Sequence, residues 1–405
     1  MALPRLGTNP VLLFRLSLTF TVIESSRPTD WTSRPFSALP SSDHNELKLR
    51  GDLQLSCLCE FILARIMDQT TPSYGIGTKL TIYRHLAPEP TAPGYQHCRP
   101  ADFEEEAQTT FTERYLKHPP LQGTTLWSQP FSITITDEIT PNSTSGARLL
   151  GVNNKLVAKI YDPLYYSIPT LSNEVGTNPF RLADSDYTHE TAAYERTNYR
   201  LGGTILPEYH GSFTCKLSVI SASGTTTRSV RLILLERILG TCMRDLDPHR
   251  TFIPQHQRKA LMAKIVDADS LLSSHGVSHG DLHPRNVMLC GSDLDDTNLR
   301  VVLIDLGCSY LSDGNSGDDD PGDDTRLPVS PVLSWDVRRL VHTNFEALGW
   351  IDWDWQAWLE EQWSDSKAYA PITDVSRKRW LGFFYKPATR SPKWWANWTV
   401  VPDQT

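Results

Sequence analysis

The amino-acid sequence predicts an α+β fold in which a small antiparallel sheet carries one helix and a mainly helical lobe follows. Short stretches between residues 131 and 238 alternate apolar and polar residues, which is typical of strands with one buried face. A single helical stretch, residues 187–199, interrupts these strands. Residues 255–276 then repeat apolar residues with the period of a helix, and they begin the second lobe.

The predicted sheet consists of four segments, and a turn follows the first of them. The turn "TPNSTSGAR", residues 140–148, contains Pro, Asn, Ser and Gly, which favour chain reversal. Another strand-like stretch, "TKLTIY" at residues 78–83, lies far upstream and has no predicted role. The segments with a strand pattern are residues 131–139, 149–163, 205–220 and 229–238.

The second lobe is predicted to begin with an amphipathic helix. Leu261, Ile265, Ala268 and Leu272 fall on one face of it. Gly276 is the expected cap, because glycine readily adopts the left-handed conformation found at helix ends. This face should pack in the core of the lobe.

Two apolar runs after this helix predict a hairpin. They lie in "HGDLHPRNVML", residues 279–289, and "VVLIDLG", residues 301–307, and a stretch rich in Gly, Asp and Asn separates them. Such a hairpin places Asn286 at the start of one strand and Asp305 at the end of the other. We therefore expect both side chains at the same end of a small sheet.

The region after the hairpin contains an acidic loop and many tryptophans. The loop, residues 312–326, lacks the ordered ligand spacing of a calcium site, so a solvated loop is favoured over a metal site. Ten of the twelve tryptophans lie between Trp335 and Trp398. Their spacing is near that of a helix, which favours packing in a core over a binding platform.

The composition excludes several classes of partner. The net charge is -8 without a cluster of Lys and Arg, so nucleic acid is not expected as a partner. An apolar stretch at residues 11–23 is interrupted by Arg15 and is too short to span a bilayer, so we expect no membrane association and a cytoplasmic or nuclear protein. Seven scattered cysteines without metal-ligand spacing predict reduced thiols.

The chain is predicted to have four parts. Residues 1–45 are rich in Ser, Thr and Pro and predict a poorly ordered leader. Residues 46–124 form an extension without an assigned role, although residues 55–69 have a helical pattern. The first lobe is expected at residues 125–240 and the second at residues 241–400.

Three polar residues fit the requirements of phosphoryl transfer. A nucleoside triphosphate must be neutralised by metal ions and a cation, while a carboxylate orients the acceptor hydroxyl. Asp281 precedes Asn286 by five residues, and Asp305 follows the next strand. This pattern suits Asp281 as the base and the other two as oxygen ligands of Mg²⁺. Any one of them alone would be interpreted as a turn or cap residue, but their joint spacing favours the functional interpretation.

The cation that neutralises the triphosphate is expected in the first lobe. In "LVAKIY", residues 156–161, Val157 and Lys159 share a strand face, so Lys159 can reach phosphates while Val157 lies against the base. The following helix supplies a carboxylate to hold this lysine, and Glu190 is preferred over Glu195. A solvent-facing strand lysine is the competing interpretation.

One more place is expected to contact a nucleotide. The last strand of the first lobe ends near Glu236 and Ile238, where backbone groups can hydrogen-bond an adenine.

These motifs resemble the protein-kinase-like superfamily, and within it the aminoglycoside and choline phosphotransferase branch, which includes kinase-like proteins common in fungi. The resemblance is carried by "HGDLHPRNVML" and "VVLIDLG" and covers roughly residues 125–400. It implies a bilobal protein-kinase-like fold, with a small antiparallel N-lobe and a mainly helical C-lobe, and ATP as the donor. The site residues that it implies are Asp281 as catalytic base, Asn286 and Asp305 as Mg²⁺ ligands, and Lys159 paired with Glu190.

The sequence departs from protein kinases in three respects. Gly280 stands where they carry an arginine before the catalytic aspartate, so no cation is present to receive a phosphorylated activation loop. No Ala-Pro-Glu segment follows "DLG", which favours a small-molecule acceptor over a protein. The loop "PNSTSGAR", which the resemblance implies to cover the phosphates of the nucleotide, has one glycine, Gly146, where protein kinases have three.

Two hypotheses of different class therefore remain open. The first is an ATP-dependent phosphotransferase acting on an unidentified small hydroxylated or aminated molecule. The second is a catalytically silent kinase-like scaffold that binds a nucleotide or a protein. The complete set of polar residues favours the first, and the glycine-poor loop favours the second. His279 is expected to brace the loop, and His283 to be an exposed loop residue or, second, an acceptor contact.

Overall fold

The structure, a computed structural model, confirms the predicted α+β class, because an antiparallel barrel is followed by most of the helices. The described residues all belong to the compact unit Gln69–Thr405. Within this described part, no helix is both long and apolar enough to cross a bilayer. The structure describes residues 74–139, 146–166, 176–221, 224–291, 293–296, 298–312 and 327–381.

The sheet closes into a six-stranded barrel, in the order β1-β2-β3-β4-β6-β5, with β5 returning to β1. Every neighbouring pair is antiparallel. Closure leaves no edge strand among these six, so their backbone groups pair around the ring. The strands are β1 (Lys79–Leu86), β2 (Thr124–Glu138), β3 (Arg148–Val152), β4 (Leu156–Tyr161), β5 (Tyr209–Ser221) and β6 (Gly224–Glu236).

Strand β1 belongs to a region for which the sequence predicted no role. Ile82 of β1 pairs with Phe131 of β2 on one side and with Cys215 of β5 on the other. The sheet therefore begins well before residue 125, the predicted start of the first lobe. Two helices lie between β1 and β2, namely α1 (Pro100–Gln108) and α2 (Phe111–Lys117).

Strand β2 is longer than the predicted stretch at residues 131–139. Its first nine residues are almost all exposed, on both faces of the strand. Apolar and polar residues alternate only where one face is buried, so this half carried no signal in the sequence.

Helix α3 (Pro179–Leu201) is the helix predicted at residues 187–199, extended at its N-terminus. The side chain of Asn178 caps it by accepting hydrogen bonds from the backbone N–H groups of Phe180 and Arg181. Pro179 occupies the first turn, where a missing N–H costs nothing. The face that carries Glu190 is buried.

The second lobe contains the predicted helix and hairpin. Leu261, Ile265, Ala268 and Leu272 are buried in helix α4 (Gln255–Ser274), which confirms the predicted face. Gly276 follows the end of this helix with a φ of 71°. Strand β10 (Arg300–Leu303) pairs with β9 (Val287–Cys290) in the predicted antiparallel hairpin. The elements are β7 (Thr241–Cys242), α4 (Gln255–Ser274), β8 (Val277–Ser278), β9 (Val287–Cys290), β10 (Arg300–Leu303), β11 (Tyr310–Leu311), α5 (Pro331–Ser334), α6 (Val337–Val341), α7 (Trp355–Trp363) and α8 (Asp374–Leu381).

Most of the described tryptophans of this lobe are core residues, as predicted. The indole N–H of Trp335 donates to Asp269, and that of Trp363 donates to Asp267, so each buried polar edge has a partner. The buried tryptophans are Trp335, Trp350, Trp355, Trp358 and Trp363. The predictions for residues 1–45 and 55–69, most of the acidic loop at 312–326, and the last three tryptophans lie outside the described residues.

Candidate functional site

Strand β4 presents Lys159 to the helical side of the barrel wall. Ala158 and Ile160 point into the barrel core, and the residues between them point the other way. Val157, Lys159 and Tyr161 therefore share one face, as the alternation predicts.

Lys159 joins three elements through its ammonium group. Its Nζ lies 2.5 Å from Glu190 Oε2 on α3 and 2.6 Å from Asp305 Oδ1, just after β10. The hydroxyl of Tyr161 also donates to Glu190 Oε2, at 2.8 Å. The predicted ion pair with Glu190 is thus present, whereas Glu195, the alternative partner, is exposed on α3.

Burial and charge compete at this ion pair. Burial alone lowers the pKa of Lys159, but the carboxylates of Asp305 and Glu190 outweigh it and raise that pKa. Burial raises the pKa of Glu190, while Lys159 opposes the shift. The ammonium of Lys159 lowers the pKa of Asp305. We conclude that Lys159 is a cation in this environment.

The loop before β9 brings Asp281 and Asn286 together. Asn286 Nδ2 donates to the backbone oxygen of Asp281 at 2.8 Å and to its Oδ2 at 2.9 Å. Arg285 NH2 donates to both carboxylate oxygens of Asp281, at 2.7 and 2.8 Å. Sequence reasoning missed Arg285, although a cation four residues after an acid was a usable signal.

The hairpin places Asp305 beside this loop. The backbone N–H of Ile304 donates to the carbonyl of Asn286 at 2.9 Å, so the end of β10 adjoins the start of β9. His279 is fully buried, and its Nε2 lies 3.0 Å from the carbonyl oxygen of Ile304. Burial lowers the pKa of His279, and the carboxylates of Asp305 and Asp281 both oppose that shift. His279 thus braces the loop, as expected, between the two acids.

Gly280 is required by the backbone at this point. Its φ is 72°, and a Cβ built there would overlap the carbonyl oxygen of Cys308. The arginine that protein kinases carry at this position therefore cannot be accommodated in this turn. The departure seen in the sequence has a local steric cause.

The oxygen atoms of Asn286 and Asp305 fit a hard divalent cation. The amide nitrogen of Asn286 is used by Asp281, which leaves its Oδ1 as the free atom of that side chain. The side chain of Asp305 is 51% exposed, so Oδ2 is accessible. Carboxylate and amide oxygens are the ligands that Mg²⁺ prefers.

The positions expected to contact a nucleotide differ in burial and in whether their polar groups already have hydrogen-bond partners. Val157 and Ile238 are half-buried. The carboxylate of Glu236 pairs with Arg300 at 2.8 Å, and its backbone N–H donates to the carbonyl of Glu208 at 2.8 Å. The backbone N–H of Gly146, at a φ of 115°, donates to the carbonyl of Tyr165 at 3.0 Å. The N–H groups of Glu236 and Gly146 therefore already have partners.

A further acid, Asp186, was missed by sequence reasoning. It lies one helical turn before Glu190, and its Cγ is 3.5 Å from a Cβ built on Gly307. Burial raises its pKa to about 7; the carboxylates of Asp305 and Glu190 add to the shift, and Lys159 opposes it. The four-residue spacing from Glu190 was the available signal, because it places both acids on one face of the helix.

Comparison with known proteins gives distant structural likeness only. No protein-family model matches the chain, and no curated protein matches its sequence. The kinase domain of Mycobacterium tuberculosis PknI is 16% identical, with a TM-score of 0.28 over 44% of this chain, which spans only 60% of that chain. A structure of WaaP in complex with acyl carrier protein is 15% identical, with a TM-score of 0.34 over 65% of this chain and 85% of that one. Such low TM-scores and identities do not indicate the function of this chain.

Proposed function

We propose that this protein is an ATP-dependent phosphotransferase that transfers the γ-phosphoryl group of ATP to a hydroxyl of a small molecule. The observation that carries the proposal is the position of Lys159, which bonds Glu190 on a helix of the first lobe and Asp305 at the end of a hairpin of the second. The ammonium group of Lys159 therefore contacts Asp305, which lies 146 residues further along the chain.

Lys159 is suited to hold a phosphate. An ammonium group has three N–H donors, and Glu190 and Asp305 take two of them among the described residues. The third donor and the positive charge are available to a phosphate oxygen of ATP.

Asp281 is the proposed base. It accepts the proton of the acceptor hydroxyl as the oxygen forms its bond to the γ-phosphorus and the bond from that phosphorus to the β-phosphate oxygen breaks. The products are ADP and the phosphate ester. Arg285 and Asn286 fix the orientation of the Asp281 carboxylate, and Arg285 adds positive charge next to the transferred group.

Asn286 and Asp305 would hold Mg²⁺ through their oxygen atoms. The bound ion supplies neutralisation of the phosphate charge. Asp305 lies beside Lys159, so the chain holds its own cation and the proposed metal ligand at one place.

A small-molecule acceptor is proposed because the sequence lacks the Ala-Pro-Glu segment and the arginine of protein kinases. The lack of space for a side chain at Gly280 supports a small-molecule acceptor, because it excludes the arginine that binds a phosphorylated activation loop in protein kinases.

A catalytically silent scaffold is the second candidate. Gly146 favours it, because its backbone N–H is already bonded to the carbonyl of Tyr165 and is not free to bind phosphate. Such a scaffold would bind ATP weakly or bind a protein.

Phosphate release from ATP tests the choice without knowledge of the acceptor, since water can accept the phosphoryl group slowly. We expect Mg²⁺-dependent release by the wild type and a loss of about 10²- to 10⁴-fold in Asp281→Asn, with ATP binding retained. Asp365→Asn, an equal change on the surface of the second lobe, is the control. Wild-type protein that binds ATP and Mg²⁺ but releases no phosphate, alone or with a panel of small alcohols and amino alcohols, supports the scaffold.

A further inference from the structure

The segment between β1 and β2, residues 87–123 and here called the strap, holds α3 on the side away from Lys159. Asp102 of α1 accepts two hydrogen bonds from Arg181 NH2, at 2.5 and 2.7 Å. The backbone N–H of Asn178 donates to the carbonyl of Gln96 at 2.9 Å. The start of α3 is therefore tied to the strap by a charged pair and by backbone bonding.

The strap also contacts the middle of α3. The hydroxyl of Thr91 donates to Ser185 Oγ at 3.0 Å, and the backbone N–H of Leu121 donates to Asp184 Oδ1 at 3.1 Å. Arg231 of β6 donates to the carbonyl of Leu121 at 2.9 Å and so anchors the strap to the barrel. Because these contacts lie on successive turns, the strap fixes both the position and the rotation of α3.

His189 is the point where the strap, α3 and the segment after Asp305 meet. Its Nε2 lies 3.0 Å from the carbonyl oxygen of Thr91, and its Nδ1 lies 2.8 Å from the carbonyl oxygen of Ser309. Both partners are carbonyls, which only accept hydrogen bonds. A neutral imidazole has one N–H and can satisfy one of them, whereas an imidazolium has two and satisfies both.

His189 is close to the candidate site through its neighbour in the chain and through Ser309. The neighbouring residue, Glu190, reaches Lys159. Ser309 closes the turn that begins directly after Asp305, because its N–H donates to the carbonyl of Leu306 at 3.0 Å. His189 therefore connects the strap to the segment that positions Asp305.

We propose that His189 is a positioning residue that, through its two ring nitrogens, ties the strap and α3 to the segment after Asp305 and so holds Lys159, Glu190 and Asp305 in register. The proposal deepens the proposed phosphotransferase function and rests on it. Loss of either contact should loosen the hold on the site.

Arg196 of α3 makes a second connection to the same part of the second lobe. It donates to the carbonyls of Gly276 and Ser312, at 3.0 and 2.9 Å. Loss of the contacts of His189 should therefore weaken the hold on the site without unfolding the protein.

The first test observes the imidazole directly by nitrogen NMR of the wild-type protein, with His189→Gln to assign its signals. We expect the signals of both ring nitrogens of His189 to show a hydrogen bond. A ring nitrogen that makes no hydrogen bond overturns the proposal. This readout needs neither ATP nor activity, so it is independent of the proposed function.

The second test compares KM for ATP in the wild type, His189→Phe, His189→Arg and the control His256→Phe, whose imidazole is 75% exposed. We expect KM of His189→Phe to lie about three- to tenfold above that of the wild type and the control, with kcat changed less. His189→Arg keeps N–H donors for both carbonyls and should stay closer to the wild type. Equal KM values of His189→Phe and the wild type overturn the proposal.

Unfolding temperatures show whether each variant folds. His189→Phe should unfold at a lower temperature than the wild type, because both hydrogen bonds of the imidazole are lost, whereas His256→Phe should not. Equal unfolding temperatures of the wild type and His189→Phe contradict the two-bond contact. If the wild type shows no ATP turnover at all, the phosphotransferase fails while the NMR and unfolding results still decide the role of His189.

Discussion

At the scale of single residues, the ion pair between Lys159 and Glu190 combines burial with charge. Glu190 is fully buried and Lys159 is 7% exposed, so neither charge can be hydrated if the other is removed. Removing one partner of such a pair leaves an uncompensated charge in a medium of low polarity.

Lys159→Met should therefore lower the free energy of unfolding by about 3–5 kcal/mol. The double variant Lys159→Met with Glu190→Gln should regain part of that loss, because no buried charge is left without a partner, yet neither variant should bind ATP as the wild type does. Urea denaturation measures the first effect and ligand binding the second. Equal stability of the single and double variants is inconsistent with a buried pair.

Asp186 predicts a stability that depends on pH. Its pKa is about 7 in the folded protein and about 3.9 for an aspartate in an unfolded chain. The folded state thus binds the proton more tightly, and the penalty of an ionised Asp186 appears as pH rises from about 4 to about 7. Asp186→Asn removes this penalty.

We expect Asp186→Asn to match the wild type in unfolding temperature near pH 4, to exceed it increasingly up to about pH 7, and to keep that difference at higher pH. Glu361→Gln, an equal loss of charge on an exposed face of α7, serves as the control and should show no such trend. A difference that is constant across this range, or that grows as pH falls, contradicts the raised pKa of Asp186.

The placement of candidate residues could be predicted where it depends on local spacing. Strand alternation placed Lys159 on the face opposite the barrel core, and the hairpin placed Asn286 and Asp305 at the same end of a small sheet. Asp186 lies beside Gly307, which is more than a hundred residues further along the chain, and no local pattern contains such a contact. The contact of Arg285 with Asp281 depends on the conformation of the loop between them, which the residue types alone do not determine.

At the scale of elements, the turn around Gly280 depends on a residue without a side chain. A left-handed φ costs other residues about 1–2 kcal/mol, and here the overlap with the backbone of Cys308 adds to that cost. Gly203 has a similar φ of 76°, but a Cβ added there meets no atom within 4 Å.

Gly280→Ala should therefore destabilise the protein more than Gly203→Ala, and only Gly280→Ala should weaken ATP turnover. The Gly203→Ala variant isolates the cost of the backbone conformation from that of the steric overlap. Unfolding temperature and phosphate release are the measurements. Equal effects of the two substitutions would falsify the steric explanation for Gly280.

Elements with one buried face were predictable, and elements without such a face were not. Helix α4 and the hairpin of β9 and β10 follow the pattern of their apolar residues. The first half of β2 is exposed on both faces and gave no signal. Strand β1 had a strand pattern, but its role required knowledge of its partners β2 and β5, which no local pattern contains.

At the scale of the whole molecule, the candidate site is a product of long-range pairing. The barrel positions Lys159, the strap and α3 position Glu190, and the second lobe positions Asp305. The α+β class could be predicted because it needs only the order of the elements. Closure of the barrel and the path of the strap could not, since both depend on contacts between distant segments.

The proposed function requires that Lys159, Asn286 and Asp305 bind ATP together with Mg²⁺. The most direct test measures the stability of the wild type and of Asp305→Asn, each with ATP and Mg²⁺ and with ATP and a chelator. Asparagine is the suitable replacement, because Asp305 has a φ of 66° and asparagine tolerates that conformation. Each protein is compared with itself, so the lost contact to Lys159 cancels.

The wild type should gain about 2.7 kcal/mol when ATP is at a hundredfold excess over its dissociation constant. The gain should require Mg²⁺ and should be markedly smaller in Asp305→Asn, because the neutral amide oxygen lacks the negative charge of the carboxylate, while Asp365→Asn keeps the gain. A wild type that gains nothing at millimolar ATP, or an Asp305→Asn variant that keeps the full metal-dependent gain, would contradict the account.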